Sequence, residues 1–190
     1  HLGWAIIAGF LVTAVIAFAL KDLIEGPLRS LWFVVGGLLV WSVVMFCADR
    51  FGKQDRGEHT ITWKDGALLG LIQCFSLVPG VSRSGATISG ALFLGIDRVT
   101  ATRMSFFLGI PTLIASGLYQ AVKEAKHIAD GVGWGSTLLG TAVSGVVAYV
   151  SIAWLLRYVS KNNFTGFIIY RLALALVIVV LLTTQVISAV

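Results

Sequence analysis

Apolar residues fall into long uncharged runs separated by short polar stretches, and this block pattern predicts helices that cross a bilayer. Trp4 to Leu20 carries no charge and is long enough to span about 30 Å of hydrocarbon with slight thinning. Lys21 to Ser30, with Gly26-Pro27 and charges of both signs, reads as an interfacial connection. Leu31 to Ala48 is a second span, with Trp32 as an interfacial anchor and Trp41 as a packing residue. Asp49 to Lys64 is the most polar stretch and is expected as a solvated loop. Beyond Arg103, Met104 to Val122 forms a third span with a kink at Pro111, and Lys123 to Asp130 a short connection. Gly135 to Leu156 is a fourth span, in which Gly140, Ser144 and Ala148 give a small-residue face for close packing. Leu172 to Val190 is the last, and Arg171 beside Tyr170 either contacts the site or, the favoured expectation, snorkels at the interface.

One apolar stretch breaks the pattern. From Gly66 to Gly95 the only charged side chain is Arg83, and Pro79-Gly80 divides the run into two segments, Gly66 to Leu77 and Ala86 to Gly95. Each reaches only about halfway through the hydrocarbon at about 1.5 Å per residue. Two half-helices joined by a Pro-Gly turn make a re-entrant hairpin, and its tip is tolerated only where protein buries it or it lines a wet cavity. Ser84 ahead of Gly85-Ala86 is the expected N-cap of the second half-helix. Free N–H groups at a helix start, serine hydroxyls and a forked guanidinium then lie within six residues, a cradle for phosphate oxygens. The plainer alternative is a glycine-rich kink whose arginine pairs with a carboxylate. No Gly-Lys-Ser/Thr follows, so this is not a Walker loop.

Composition agrees with a membrane protein: 57% of the residues are apolar and 12% charged. The fold class predicted is all-α and polytopic, in a single membrane domain: two spans over 4–48, a polar loop over 49–64, the hairpin over 65–96 and three spans over 104–190. The net charge of +5 resides in loops and forms no nucleic-acid patch. Arg50, Lys53, Arg56, Lys64, Arg98, Arg103, Arg157, Lys161 and Arg171 fall on the side where the hairpin starts and ends, against Lys21, Arg29, Lys123 and Lys126 opposite. That asymmetry places the first side in the cytoplasm and the C-terminus outside. Cys47 and Cys74 read as buried small residues, and His1, His59 and His127 lack metal-ligand spacing. A faint echo between Gly3-Trp4 and Gly133-Trp134 suggests an inverted repeat whose first unit has lost its hairpin and leading span upstream of His1.

Gln73-Cys74, the string Pro79-Gly80-Val81-Ser82-Arg83-Ser84-Gly85-Ala86-Thr87-Ile88-Ser89-Gly90, and Ser105-Phe106-Phe107-Leu108 followed by Ile110-Pro111 resemble the bacterial undecaprenyl-diphosphate phosphatase family, the bacitracin-resistance type. The resemblance is strongest from about Gly66 to Arg171 and the C-terminus, and looser in the first two spans. It implies a multi-pass enzyme of the bacterial inner membrane that removes one phosphate from a C55 polyprenyl diphosphate, recycling the lipid carrier of peptidoglycan synthesis. It implies catalytic and diphosphate-binding roles for Ser82, Arg83, Ser84 and Thr87, with Gly80, Gly85 and Ala86 at the substrate. It also implies a divalent cation, Mg2+ or Ca2+, for which this chain shows no ligands. The family's other motif, with paired glutamates and a Pro-Val-Ser-Ser-Thr-Gly-His-like string, has no match here.

Diphosphate hydrolysis requires charge stabilisation on the transferring phosphoryl group, an activated nucleophile and a hold on the leaving phosphate. Arg83 and the helix start meet the first requirement, but no base stands beside Ser82 or Ser84 in the sequence, so the nucleophile is expected upstream of His1. A transporter or flippase of an anionic substrate uses the same half-helices, and an incomplete fragment that only binds the diphosphate is a third alternative. Whether the chain acts alone or as a homodimer is left open by the sequence.

Overall fold

The structure is a computed structural model describing residues 1–20 and 30–188. The expected connection at 21–29 lies outside the described residues, as do the last two positions of the final span. The described residues form helices α1 (Leu2–Ala19), α2 (Leu31–Phe51), α3 (Trp63–Gln73), α4 (Arg83–Phe93), α5 (Arg98–Lys123), α6 (Ala125–Asp130), α7 (Trp134–Val159) and α8 (Thr165–Thr183), with 3-10 turns at Glu58–Thr60 and Cys74–Leu77. Five of them, α1, α2, α5, α7 and α8, are long and apolar enough to cross a membrane. The chain is thus an all-α, multi-pass membrane protein.

The half-helices α3 and α4 have 11 residues each, about 16 Å at the helical rise. Both of their outer ends meet at Arg56. Its backbone N–H donates to Gly95 O at 2.9 Å and its carbonyl accepts from Asp97 N at 2.9 Å, beyond the end of α4. Its guanidinium donates to both Asp65 oxygens, at 3.0 and 2.9 Å, near the start of α3. The hairpin therefore begins and ends at one place, as a re-entrant element must. Pro111 lies inside the continuous helix α5, and Thr112 donates its hydroxyl to Leu108 O at 3.1 Å close by.

The segment 49–64, expected as a solvated loop, is largely exposed and also clasps helix ends together. Asp49 accepts from Arg98 Nε at 2.6 Å and from Phe164 N at 3.1 Å, which ties the end of α2 to the starts of α5 and α8. Glu58 pairs with Arg103 at 2.9 Å. Charges of opposite sign at helix ends found partners across elements, which charge spacing along the sequence does not show. Burial alone would raise the pKa of the Asp65 carboxyl, but hydrogen bonds from Arg56 and Thr62 outweigh it and hold the carboxyl below the ordinary aspartate value. A carboxylate with a depressed folded-state pKa adds stability above its unfolded pKa and loses it as pH falls through the folded one. Thermal stability in detergent is therefore expected to be level from neutral pH down to about pH 5 and to fall below about pH 4. In Asp65→Asn that acid step shrinks, and an unchanged step would remove Asp65 as its source.

Glycines set the closest packing. Gly66 and Gly70 of α3 face Ala5 and Gly9 of α1 so closely that a Cβ at either would strike the α1 backbone. Thr13 spans the seam, donating its hydroxyl to Gly9 O at 2.9 Å or Gly70 O at 3.0 Å. Among the described residues the small-residue face expected on α7 has no packing partner: a Cβ at Gly140 would have nothing within 4 Å, and Val159 is the only buried residue of the helix. Small residues permit close approach but do not choose the partner, and among the described residues α7 packs along α5 and α6, with Tyr158 near its end meeting Phe167 of α8. The last span starts at Thr165 rather than Leu172, so Arg171 lies inside it. At the centre is α4, buried at every residue from Gly85 to Leu92 and packed on α2, α3 and α5.

Candidate anion site at the hairpin tip

After the 3-10 turn the chain turns at Pro79-Gly80. Gly80 has φ +89°, and a Cβ there would meet the backbone of Val34 on α2. Gly37, one turn along α2, makes room for Pro79 O and Val81 N in the same way. Only glycine allows this seat, since it needs both a left-handed backbone and direct backbone contact.

Helix α4 is capped by Ser82 and not by Ser84 as the sequence suggests. Ser82 has φ +74°, its hydroxyl accepts from Gly85 N at 3.3 Å, and its carbonyl accepts from Ala86 N at 2.9 Å. The N–H groups of Arg83 and Ser84, the first two of α4, lie beyond these caps and make no hydrogen bond among the described residues. The Ser82 and Ser84 hydroxyl oxygens are 3.3 Å apart. Both serines, with Gly85, line a cavity of about 210 Å³ whose other walls come from Met45, Ile88, Leu155, Phe164, Phe167, Tyr170 and Arg171.

Arg171 does not snorkel. It is 8% exposed and donates to Gly80 O at 2.9 Å, to Gly37 O and Leu38 O at 3.3 and 3.4 Å, and to Ser42 Oγ at 3.3 Å. It clamps the tip of the hairpin to α2 from α8. Sequence reasoning undervalued it, although the signal was there: Arg171 is the only charge between Phe164 and Val190, just as Arg83 is between Gly66 and Gly95.

Arg83 leaves α4 toward α5, where Nη1 donates to Gly109 O at 3.4 Å. It is half-buried and does not line the cavity. Among the described residues neither Arg83 nor Arg171 has a carboxylate partner. Two unpaired guanidinium groups therefore flank the start of α4, one on each side of the turn. Thr87 and Ala86 are fully buried. The Thr87 hydroxyl donates to Arg83 O at 2.9 Å or Gln73 Oε1 at 3.5 Å, so it braces the turn from behind instead of facing the cavity. Gln73 in turn donates to Thr13 at 3.3 Å, which extends the brace to α1.

Hydroxyls, amide N–H groups and guanidiniums suit an anion and repel a cation. The cavity lining contains no carboxylate or histidine, and no cluster of three His, Cys, Asp or Glu side chains occurs among the described residues. The divalent cation implied by the family resemblance thus finds no ligand set at this turn.

Residues 1–177 match the family described as bacitracin resistance protein BacA. Curated relatives along nearly the whole chain include undecaprenyl-diphosphatase 3 of Frankia casuarinae, 50% identical over 98% of this chain and 67% of its own length. Undecaprenyl-diphosphatase of Cutibacterium acnes is 48% identical over 99% of this chain and 69% of its own. Undecaprenyl-diphosphatase 1 of Streptomyces avermitilis is 48% identical over 97% and 66%. The chain spans about two thirds of the length of these relatives. With a re-entrant hairpin carrying Pro79 to Gly90 at its centre, this chain belongs to the bacitracin resistance protein BacA family.

Proposed function

We propose that this chain carries the diphosphate-holding part of an undecaprenyl-diphosphate phosphatase, which hydrolyses the lipid diphosphate to the monophosphate and inorganic phosphate. The observation that carries this is the pair Arg83 and Arg171, without a carboxylate partner among the described residues and flanking the N-terminus of α4. A buried cation without a protein counter-ion favours an anionic ligand, and in a membrane interior such residues mark substrate sites. The helix start adds backbone donors and a positive dipole end. Ser82 and Ser84 hold phosphate oxygens by their hydroxyls, while the apolar walls from Ile88, Leu155 and Phe167 accept the first isoprenoid units. As the bond to the departing phosphate lengthens, negative charge grows on oxygens already facing guanidinium and amide donors, and these lower the barrier without reorganising.

Neither serine has a base beside it among the cavity residues, so the attacking group comes from outside this set. A divalent cation belongs to the proposal too and would add positive charge at the phosphate, although the residues of this turn supply no ligands for it. The enzyme works in the bacterial cytoplasmic membrane, recycling the lipid carrier of cell-wall synthesis and conferring bacitracin resistance, with the Arg56 end of the hairpin facing the cytoplasm.

The test is binding of undecaprenyl diphosphate, and phosphate release from it, in detergent with Mg2+ or Ca2+, for this chain and for Arg83→Ala. Binding is expected to weaken at least about tenfold in the variant, and any release to fall by about 10² or more. Binding that is indifferent to Arg83 would overturn the site. Movement of the lipid between leaflets without phosphate release would assign the fold to transport.

A further inference from the structure

Most close-packed glycines here face backbone: Gly66 and Gly70 meet α1, Gly37 meets the hairpin tip, and Gly80 meets α2. Gly109 of α5 is different. An ideal Cβ at Gly109 would lie 2.9 Å from Arg83 Cζ, 2.9 Å from Nη2 and 3.0 Å from Nη1, with no other heavy atom nearer. Near-equal distances to three atoms of one planar group mean that the guanidinium lies face-on to the missing methyl. The same residue accepts Nη1 through its carbonyl at 3.4 Å. The absent side chain and the backbone oxygen thus form a shallow seat. It is fixed in place because Leu108 beside it is fully buried and α5 packs along α4.

We propose that Gly109 is a positioning residue that sets where Arg83 presents its charge to the phosphate. The inference rests on the anion-binding role of Arg83. A guanidinium flat against a helix keeps its outer N–H edge free for a bidentate contact with phosphate oxygens, and that contact tolerates little displacement. A methyl at 109 moves the guanidinium by about 0.5 Å, since ordinary contact begins near 3.4 Å against the 2.9 Å available. Because the obstacle is the end of a flexible side chain, the backbone of α5 need not shift. Alanine at Gly109 therefore alters the site while leaving the fold in place, which is not so at Gly66 or Gly70.

The experiment measures binding of farnesyl diphosphate, a short polyprenyl diphosphate, to the whole chain in detergent by calorimetry, together with thermal unfolding. The variants are Gly109→Ala, Arg83→Ala, the double variant, and Gly117→Ala as a control on the same helix with nothing within 4 Å. Gly109→Ala is expected to weaken binding about tenfold with the unfolding temperature of the control, and to add less than about twofold in the Arg83→Ala background. Wild-type binding by Gly109→Ala, when Arg83→Ala has lost it, overturns the seat. Additive losses in the double variant overturn it as well. If Arg83→Ala binds as the wild type does, the anion-binding role of Arg83 fails instead. Should Gly109→Ala unfold early, recovery of stability in the double variant, where the obstructing guanidinium is gone, supports the seat, and failure to recover overturns it.

Discussion

Arg171→Ala is expected to lower phosphate release by about 10² to 10³, the usual cost of deleting a donor aimed at charge that builds up in the transition state. Two effects combine. The cavity loses the guanidinium that lines it, and the hairpin tip loses the clamp that joins Gly80 O to Gly37 O and Leu38 O. Leaving those carbonyls without a donor costs about 1–3 kcal/mol in addition. Arg171→Lys separates the two, because a lysine keeps the charge but cannot reach across the turn and α2 with a planar fork. Its phosphate release should fall between wild type and alanine, while its thermal unfolding should lie close to that of Arg171→Ala. Wild-type release by Arg171→Ala would leave Arg171 as a strut only.

Gly66→Val should be the most destabilising single substitution among the exchanges considered. The α1 and α3 backbones meet at this position, and the first added carbon already clashes with Ala5 O. The helices must separate, which loosens the Thr13 bridge to Gly70 and the Gln73 brace behind the turn. A loss of about 3 kcal/mol or more is expected, read as a lower denaturation midpoint in detergent. Gly135→Val on α7, with nothing within 4 Å, should shift stability by no more than about 0.5 kcal/mol. Equal shifts at the two positions would contradict the packing described.

The contrast between those glycines shows what the sequence could convey. Runs of apolar residues revealed the spans, because length and lack of charge are properties of one segment alone, and Pro79-Gly80 revealed the hairpin for the same reason. Which small residues meet depends on which helices are neighbours, and so the face at Gly140 was read as packed while the seam at Gly66 and Gly70 went unnoticed. Arg83 was legible as the lone charge of its stretch. Arg171 meets the same criterion, but an arginine beside a tyrosine at the head of an apolar run equally fits the boundary of a span. Helix capping failed on backbone geometry: a serine in the left-handed region is not visible from residue type, and Ser82 and Ser84 are equal caps by preference alone. Asp49 needed Arg98 and Phe164 for its role to show, both far away along the chain.

Ser82 carries one more consequence. A serine with φ +74° sits in a backbone region that costs about 1–3 kcal/mol for any residue with a Cβ, and glycine would relieve that cost. Glycine would also remove the hydroxyl that caps α4 and faces the cavity. Stability and phosphate binding therefore pull this position in opposite directions. Laboratory evolution of the chain under heat alone has a route to hardiness at residue 82 that leads away from its chemistry.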